Sequence, residues 1–87
     1  MMARKRTTTR IRYGDQVEID DGEDSGIYEV RSIYVGEDDC WLYAELEDGR
    51  DVEQQFPLTW IENLFRSQNP DEWDQRKARV PVKPKGW

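Results

Sequence analysis

An alternation of aromatic and acidic side chains in residues 41–47 is the pattern in this chain best suited to binding chemistry. Trp41, Tyr43, Glu45 and Glu47 share one parity, so in an extended strand all four side chains lie on the same face. An extended partner chain would place apolar residues against the two aromatic rings and basic residues against the two carboxylates. The pattern therefore predicts a surface for a basic peptide.

A second interpretation of the same aromatic residues is structural. Because the opposite parity of this strand is apolar, Trp41 and Tyr43 lie outside the predicted core, and something must cover them or use them. The chain itself has a suitable segment after Pro57. It contains five large apolar residues that can fold back across this face: Trp60, Ile61, Leu64, Phe65 and Trp73.

The composition argues against catalysis. The chain has no histidine, so the usual general base for a serine or cysteine nucleophile is missing, as is a common zinc ligand. The single cysteine, Cys40, has the parity of the apolar face, where a small core residue is expected rather than a reactive thiol. We expect a protein that is not an enzyme and that uses no metal or cofactor.

Charge divides the chain into an acidic body and two basic ends. All 19 acidic residues lie between Asp15 and Asp74, an interval that holds only three basic residues. The N-terminal cations are Arg4, Lys5, Arg6, Arg10 and Arg12. The C-terminal cations are Arg76, Lys77, Arg79, Lys83 and Lys85. Such basic segments contact phosphates in many proteins, or they neutralise an acidic body of the same or a neighbouring molecule.

The strand pattern predicts a small β-barrel. Residues 14–19 alternate in polarity, and residues 26–35 change parity near Arg31, which indicates a bulge that bends the second strand. A third strand spans residues 40–47, Asp48-Gly49 predicts a two-residue hairpin turn, and a fourth strand runs to Pro57. Closure into a barrel of four to five strands would remove the exposed sheet edges.

A short helical extension is expected after the strands. Thr59 and Glu62 have the spacing of a capping box, and Trp60, Ile61, Leu64 and Phe65 follow at helical spacing. The alternative is a fifth strand through Trp60, Ile61 and Glu62. A second helix is predicted over residues 71–79. The chain then divides into a flexible basic arm (1–12), the barrel (13–66) and a helical and extended basic tail (67–87).

Three short motifs resemble a known group of modules. GDQVEI at residues 14–19, YEVRSIY at 28–34 and LEDGR at 46–50 are similar to the SH3-like barrels of Tudor, BAH and KOW domains. The resemblance implies the barrel fold, and it implies that Tyr28 lies at a ligand rim where aromatic side chains surround a methylated cation. Three other aromatic residues can form an alternative cage: Tyr13, Tyr34 and Trp60.

The leading hypothesis is a noncatalytic interaction module that binds a basic or modified peptide or protein. The predicted contact residues are Tyr28, Tyr34, Trp41, Tyr43, Glu45 and Glu47. One alternative is a nucleic-acid-associated accessory protein that binds phosphate through Arg4, Lys5, Arg6, Arg10 and Arg12. Another is an inhibitor whose acidic body imitates phosphates. With no long apolar run, we expect a soluble intracellular protein without a membrane partner.

Overall fold

Two β-sheets and two α-helices make up most of the regular structure in the described part of the chain. The computed structural model describes residues 8–20, 22–36, 42–49 and 53–84. Within these ranges the chain forms seven strands in two sheets, so the prediction of a mainly β fold with a short helical extension is confirmed.

The main sheet is a meander of four consecutive strands with a fifth short strand beside it. The meander consists of β2 (Gln16–Ile19), β3 (Gly26–Val35), β4 (Leu42–Asp48) and β5 (Glu53–Pro57). A single 3₁₀ turn at Gly22–Asp24 lies between β2 and β3. Near the C-terminus, β7 (Lys83–Pro84) pairs in parallel with the second half of β3.

The predicted bulge in β3 is confirmed. The register between β3 and β4 shifts between Val30 and Ser32, which leaves Arg31 as the extra residue. Because the shift restores the inward parity, Tyr28, Val30 and Ile33 all have buried side chains. The bulge therefore keeps both halves of a ten-residue strand in contact with one core.

The turn between β4 and β5 is longer than predicted. Glu47 pairs with Glu53, so five residues lie between these partners. A two-residue turn at Asp48-Gly49 would leave only two residues between Glu47 and its partner. Asp48 instead continues β4 and pairs with Tyr28 of β3. The expected hairpin is present, and its two-residue turn was wrong.

The predicted helix after the sheet is confirmed as α1 (Leu58–Gln68), and the alternative fifth strand through Trp60 is wrong. The capping box is also wrong. Pro57 is the N-cap residue and makes no side-chain cap, while the carboxylate of Glu62 accepts a hydrogen bond from Thr9. The second helix, α2 (Pro70–Gln75), is shorter than expected and begins at a proline, as helices often do.

The folded body begins earlier than residue 13. Strand β1 (Thr8–Thr9) pairs with β6 (Val80–Pro81) in the second, two-stranded sheet, and Ile11 is completely buried. The burial of Ile11 was not predicted, because a single isoleucine among arginines and threonines has no periodic signal. Thr8, Thr9 and Ile11 therefore contact the folded body.

One core lies between the main sheet and α1. The buried side chains of the strands, among them Val17, Val30 and Leu46, pack with Ile61 and Phe65 of the helix. In the described residues β2 does not pair with β5, so the sheet is not closed into a barrel. Helix α1 covers its inner face instead. None of the described helices has the length and apolar character needed to cross a membrane.

Candidate functional site: the acidic face of the sheet

The face of the main sheet opposite α1 carries most of the predicted contact residues. Strand alternation places Tyr43, Glu45 and Glu47 of β4 on this outer face, with the buried side chains of Ala44 and Leu46 on the inner one. The register with the neighbouring strands adds further outward residues. We define the acidic face by six of them: Glu29, Tyr34, Tyr43, Glu45, Glu47 and Glu53.

Three carboxylates of the acidic face form a row across three strands. Glu29 of β3 pairs with Glu47 of β4, and Glu47 pairs on its other side with Glu53 of β5. Directly paired residues in antiparallel strands have Cβ atoms about 4.5–5.5 Å apart, and like charges in such pairs destabilise a sheet. The row is therefore an arrangement that folding alone does not favour.

Arg31, the bulge residue, partly offsets this repulsion. Its guanidinium lies 3.0 Å from the carboxylate of Glu47 and 3.4 Å from that of Glu29. Half of the Arg31 side chain is exposed, so the pairs are screened by water and contribute little stability. The same geometry shows that this part of the face accommodates a guanidinium.

The other end of the acidic face is aromatic. Tyr34 and Tyr43 are cross-strand partners, and their rings stack with a centroid distance of 5.9 Å and an interplanar angle of 26°. Tyr34 is buried and Tyr43 is half-buried, so Tyr43 offers the more accessible ring. Lys83 of β7 pairs with Tyr34 at this end of the face.

Tyr28 does not belong to the acidic face. Its side chain is 0% exposed, and its ring packs edge-on against Phe56 with a centroid distance of 6.1 Å. Tyr28 has the same parity on β3 as Val30, so its side chain points inward. The resemblance had implied a position at a ligand rim instead. Tyr28 is a core residue and has no surface for a partner in this conformation.

The remaining aromatic predictions are dispersed or not described. Trp41 and Cys40 lie outside the described residues. Of the alternative cage, Tyr13 and Trp60 are exposed at 54% and 40%, whereas Tyr34 is buried in its stack with Tyr43. Trp60 packs on Phe56 of β5, away from that stack.

The basic residues of the alternative hypothesis have different environments. Arg10 lies over the ring of Trp73 and donates a hydrogen bond to its carbonyl, so it has a structural role. Arg12 is exposed. Arg4, Lys5 and Arg6 lie outside the described residues.

Three residues of this outer surface were not predicted as contacts. Glu29 and Glu53 are brought to Glu47 only by strand register, which the sequence does not specify. Ile27 has the parity of Glu29 and is 59% exposed, and it lines a shallow cavity of about 400 Å³ together with Glu29, Arg31 and Glu47. The signal available in the sequence was the parity of Ile27, which is opposite to that of Tyr28 and Val30 and equal to that of Glu29.

Comparison with protein-family models, curated proteins and solved structures finds no significant match for this chain.

A second charged group, the Arg76 cluster, consists of Arg76, Asp15 and Glu72 and differs from the acidic face. The Arg76 guanidinium donates hydrogen bonds of 2.6 and 2.9 Å to the two carboxylate oxygens of Asp15 and one to Glu72. It also lies 4.4 Å from the centre of the Phe65 ring. These contacts tie the end of α2 to the loop before β2, across 61 residues of sequence.

The electrostatics of the Arg76 cluster are those of a permanent structural pair. Hydrogen bonding to Asp15 is the main cause that raises the pKa of Arg76, while burial acts in the opposite direction. For the guanidinium, a raised pKa means that its contribution to stability is fully present below the ordinary pKa of arginine and is lost as the pH rises through the raised one. The cluster is therefore intact at neutral pH.

Proposed function

We propose that this protein is a noncatalytic interaction module whose acidic face binds a basic or modified segment of a peptide or protein. The observation that carries the proposal is the row Glu29, Glu47 and Glu53. Its like charges oppose folding, and a bound cation would relieve their repulsion. The half-buried ring of Tyr43 at the end of the face adds a site for cation–π contact.

The fold supports this proposal through its resemblance to SH3-like modules. A four-strand meander, a bulged and paired β3 and a helix after β5 are features compatible with that type. We propose that the chain is a divergent member of this type whose main sheet presents its outer face to a partner. The inner face is occupied by α1 and is not available for binding.

The test is a peptide array that compares charge variants of the acidic face with a matched control. The array carries lysine- and arginine-rich peptides, unmodified and methylated, beside acidic and neutral ones. The double variant Glu45→Gln/Glu47→Gln removes two charges from the acidic face. The control Glu23→Gln/Asp71→Asn removes two charges from exposed positions elsewhere.

We expect the wild-type protein and the control to bind basic peptides and the acidic-face variant to bind them roughly tenfold more weakly. Each lost charge contact at a partly exposed site contributes a fraction of the ~1.4 kcal/mol that a tenfold change represents. Equal binding by the two double variants would show that only net charge matters. A wild-type protein without preference for basic peptides would contradict the proposal.

A second candidate function is phosphate binding at the basic end. Pairing of β1 with β6 joins residues 8–9 to residues 80–81, and among the described basic residues near this sheet in the sequence Arg12, Lys77 and Arg79 are exposed. Fluorescence anisotropy of a labelled duplex DNA at low and physiological salt tests this candidate. Binding that weakens steeply with salt and with Lys77→Gln/Arg79→Gln would support it, whereas absence of binding at low salt would exclude it.

A further inference from the structure

The free edge of the main sheet at β2 has an unusual partner. In the described sheet β2 is the first strand of the meander, and Glu18 pairs with Ile27 of β3. The backbone N–H of Glu18 donates to the side-chain oxygen of Gln68, and the side-chain nitrogen of Gln68 donates to the carbonyl of Glu18, both at 2.8 Å. The carboxamide at the end of α1 thus bonds both backbone groups of one edge residue.

This reciprocal pair of hydrogen bonds is what a neighbouring strand would make. In an antiparallel ladder, a hydrogen-bonded residue pair exchanges both N–H···O=C bonds between the strands. Gln68 has an amide group in place of a peptide group and therefore occupies the position of a docked strand. The edge at Glu18 is consequently oriented to accept a peptide group from another chain.

A groove of about 480 Å³ runs beside this edge. We call it the edge groove; its main lining residues are Glu18, Ile19, Asp20, Trp60, Leu64 and Gln68. The Trp60 ring is supported by Phe56, with a centroid distance of 5.0 Å, and the Trp60 residue is still 40% exposed. Among the described residues no basic side chain lines the groove, so its charge is acidic.

We infer that the edge groove is a docking site for an extended partner segment of alternating apolar and basic residues, which adds to β2 as a strand and displaces Gln68. Alternation is required because successive side chains of a strand point to opposite faces. On the helix side the segment meets Trp60 and Leu64, which are apolar. On the outer side it meets the carboxylate of Glu18.

Displacement of Gln68 carries a small energetic cost. Its side chain is exposed at the last residue of α1, and the docked segment replaces both lost hydrogen bonds with its own backbone groups. Gln68 then protects the sheet edge when no partner is present, which is a known need of edge strands. The inference does not rest on the acidic face, which lies on β3, β4 and β5.

The test uses a fluorescein-labelled heptapeptide of alternating lysine and valine, titrated with the full chain and followed by anisotropy. Gln68→Ala removes the competing amide, so we expect it to strengthen binding roughly three- to tenfold. Trp60→Ala removes the exposed aromatic contact, so we expect it to weaken binding roughly tenfold or more. Unchanged binding by both variants would overturn the inference.

Two backbone-methylated peptides keep the test valid if Trp60→Ala fails to fold. One is N-methylated at its valines and the other at its lysines, so each loses the N–H groups of one strand edge. Strand addition requires that one of the two peptides lose binding and the other retain it. Equal binding by both peptides would overturn the inference.

Further variants distinguish the edge groove from other binding modes. The variant Glu45→Gln/Glu47→Gln measures any part of the heptapeptide binding that occurs on the acidic face. In its background Gln68→Ala should give the same roughly three- to tenfold gain as in the wild type, because Glu45 and Glu47 lie on a different strand from the groove. Loss of that gain in this background would place binding on the acidic face instead and overturn the inference. Dimerisation of Gln68→Ala in sedimentation velocity would show that a second copy occupies the edge, which would also overturn the inference.

Discussion

The Arg76 cluster and the acidic face use carboxylates in opposite ways. In the cluster, Arg76 and Asp15 form an ion pair with two hydrogen bonds, and their opposite charges compensate each other. Their side chains are only 7% and 10% exposed. On the acidic face, Glu29, Glu47 and Glu53 face one another across neighbouring strands, with Arg31 beside two of them. One region joins distant parts of the chain, and the other gathers charge of a single sign at the surface.

The difference shows which charges of this acidic chain serve the fold. Buried charges are tolerated only when they are paired and hydrogen-bonded, so the Arg76 cluster is a structural requirement once it is formed. Exposed like charges are tolerated at a modest cost, and nothing in the packing of the sheet demands them. Breaking the cluster should therefore strongly destabilise the protein, whereas changing the acidic face should alter binding and leave the fold intact.

Removal of Arg76 should have the largest effect. Arg76→Ala leaves the carboxylate of Asp15 buried without its cation, and breaking such a pair costs about 3–5 kcal/mol of unfolding free energy. A domain of this size has about 5–15 kcal/mol in total, so much of its stability would be lost. Urea denaturation followed by tryptophan fluorescence measures the change.

Two other arginine substitutions sharpen this prediction. Arg76→Lys keeps the charge but loses the two-point geometry, so its loss should be smaller than that of Arg76→Ala. Arg66→Ala removes an exposed arginine of α1 whose guanidinium contacts Asn63, and it should change stability by less than about 0.5 kcal/mol. If Arg76→Ala and Arg66→Ala had equal effects, the cluster would have no special structural role.

The buried hydrogen bond of Thr9 should have the next largest effect. Its hydroxyl donates to Glu62 at 2.7 Å and accepts from the N–H of Ile11 at 3.1 Å. Thr9→Val keeps the shape and removes both bonds, which should cost about 1–3 kcal/mol.

The control for Thr9→Val is Thr59→Ala. It also tests the capping box that was predicted at Thr59 and is not observed. Thr59 is exposed and makes no side-chain cap, so the substitution should cost less than about 0.5 kcal/mol, whereas loss of a true cap costs about 1 kcal/mol. Thermal and urea unfolding of both variants provide the measurement. A larger loss for Thr59→Ala than for Thr9→Val would contradict the assignment of the buried bond.

Local patterns in the sequence were sufficient to predict several elements. The change of parity around Arg31 predicted the bulge, because one extra residue is the simplest way to bury Val30 and Ile33 together. The apolar spacing of Ile61 and Phe65 predicted α1. The alternation from Tyr43 to Glu47 predicted the outer face of β4. Each of these signals involves residues within one element.

Contacts between distant elements were not predictable in the same way. Asp15 and Arg76 were assigned to an acidic body and a basic tail, and nothing local shows that they pair. The hydrogen bond between Thr9 and Glu62 was not predictable either. The spacing of Glu62 from Thr59 favoured a helix cap that does not form. Glu53 joins Glu47 only through strand register, which depends on the length of the turn after Asp48.

The smallest expected effect concerns the acidic row. Glu53→Lys replaces a like-charge pair with an opposite-charge pair beside Glu47, so we expect a gain of about 0.2–1 kcal/mol in unfolding free energy at low salt. Glu23→Lys makes the same charge change at an exposed turn and should give a smaller gain. The difference should fade near 1 M salt, where screening acts over about 3 Å.

If Glu53→Lys also weakens binding of basic peptides, the row favours a partner at the expense of stability. A destabilised Glu53→Lys would instead mean that the row is a structural element like the Arg76 cluster.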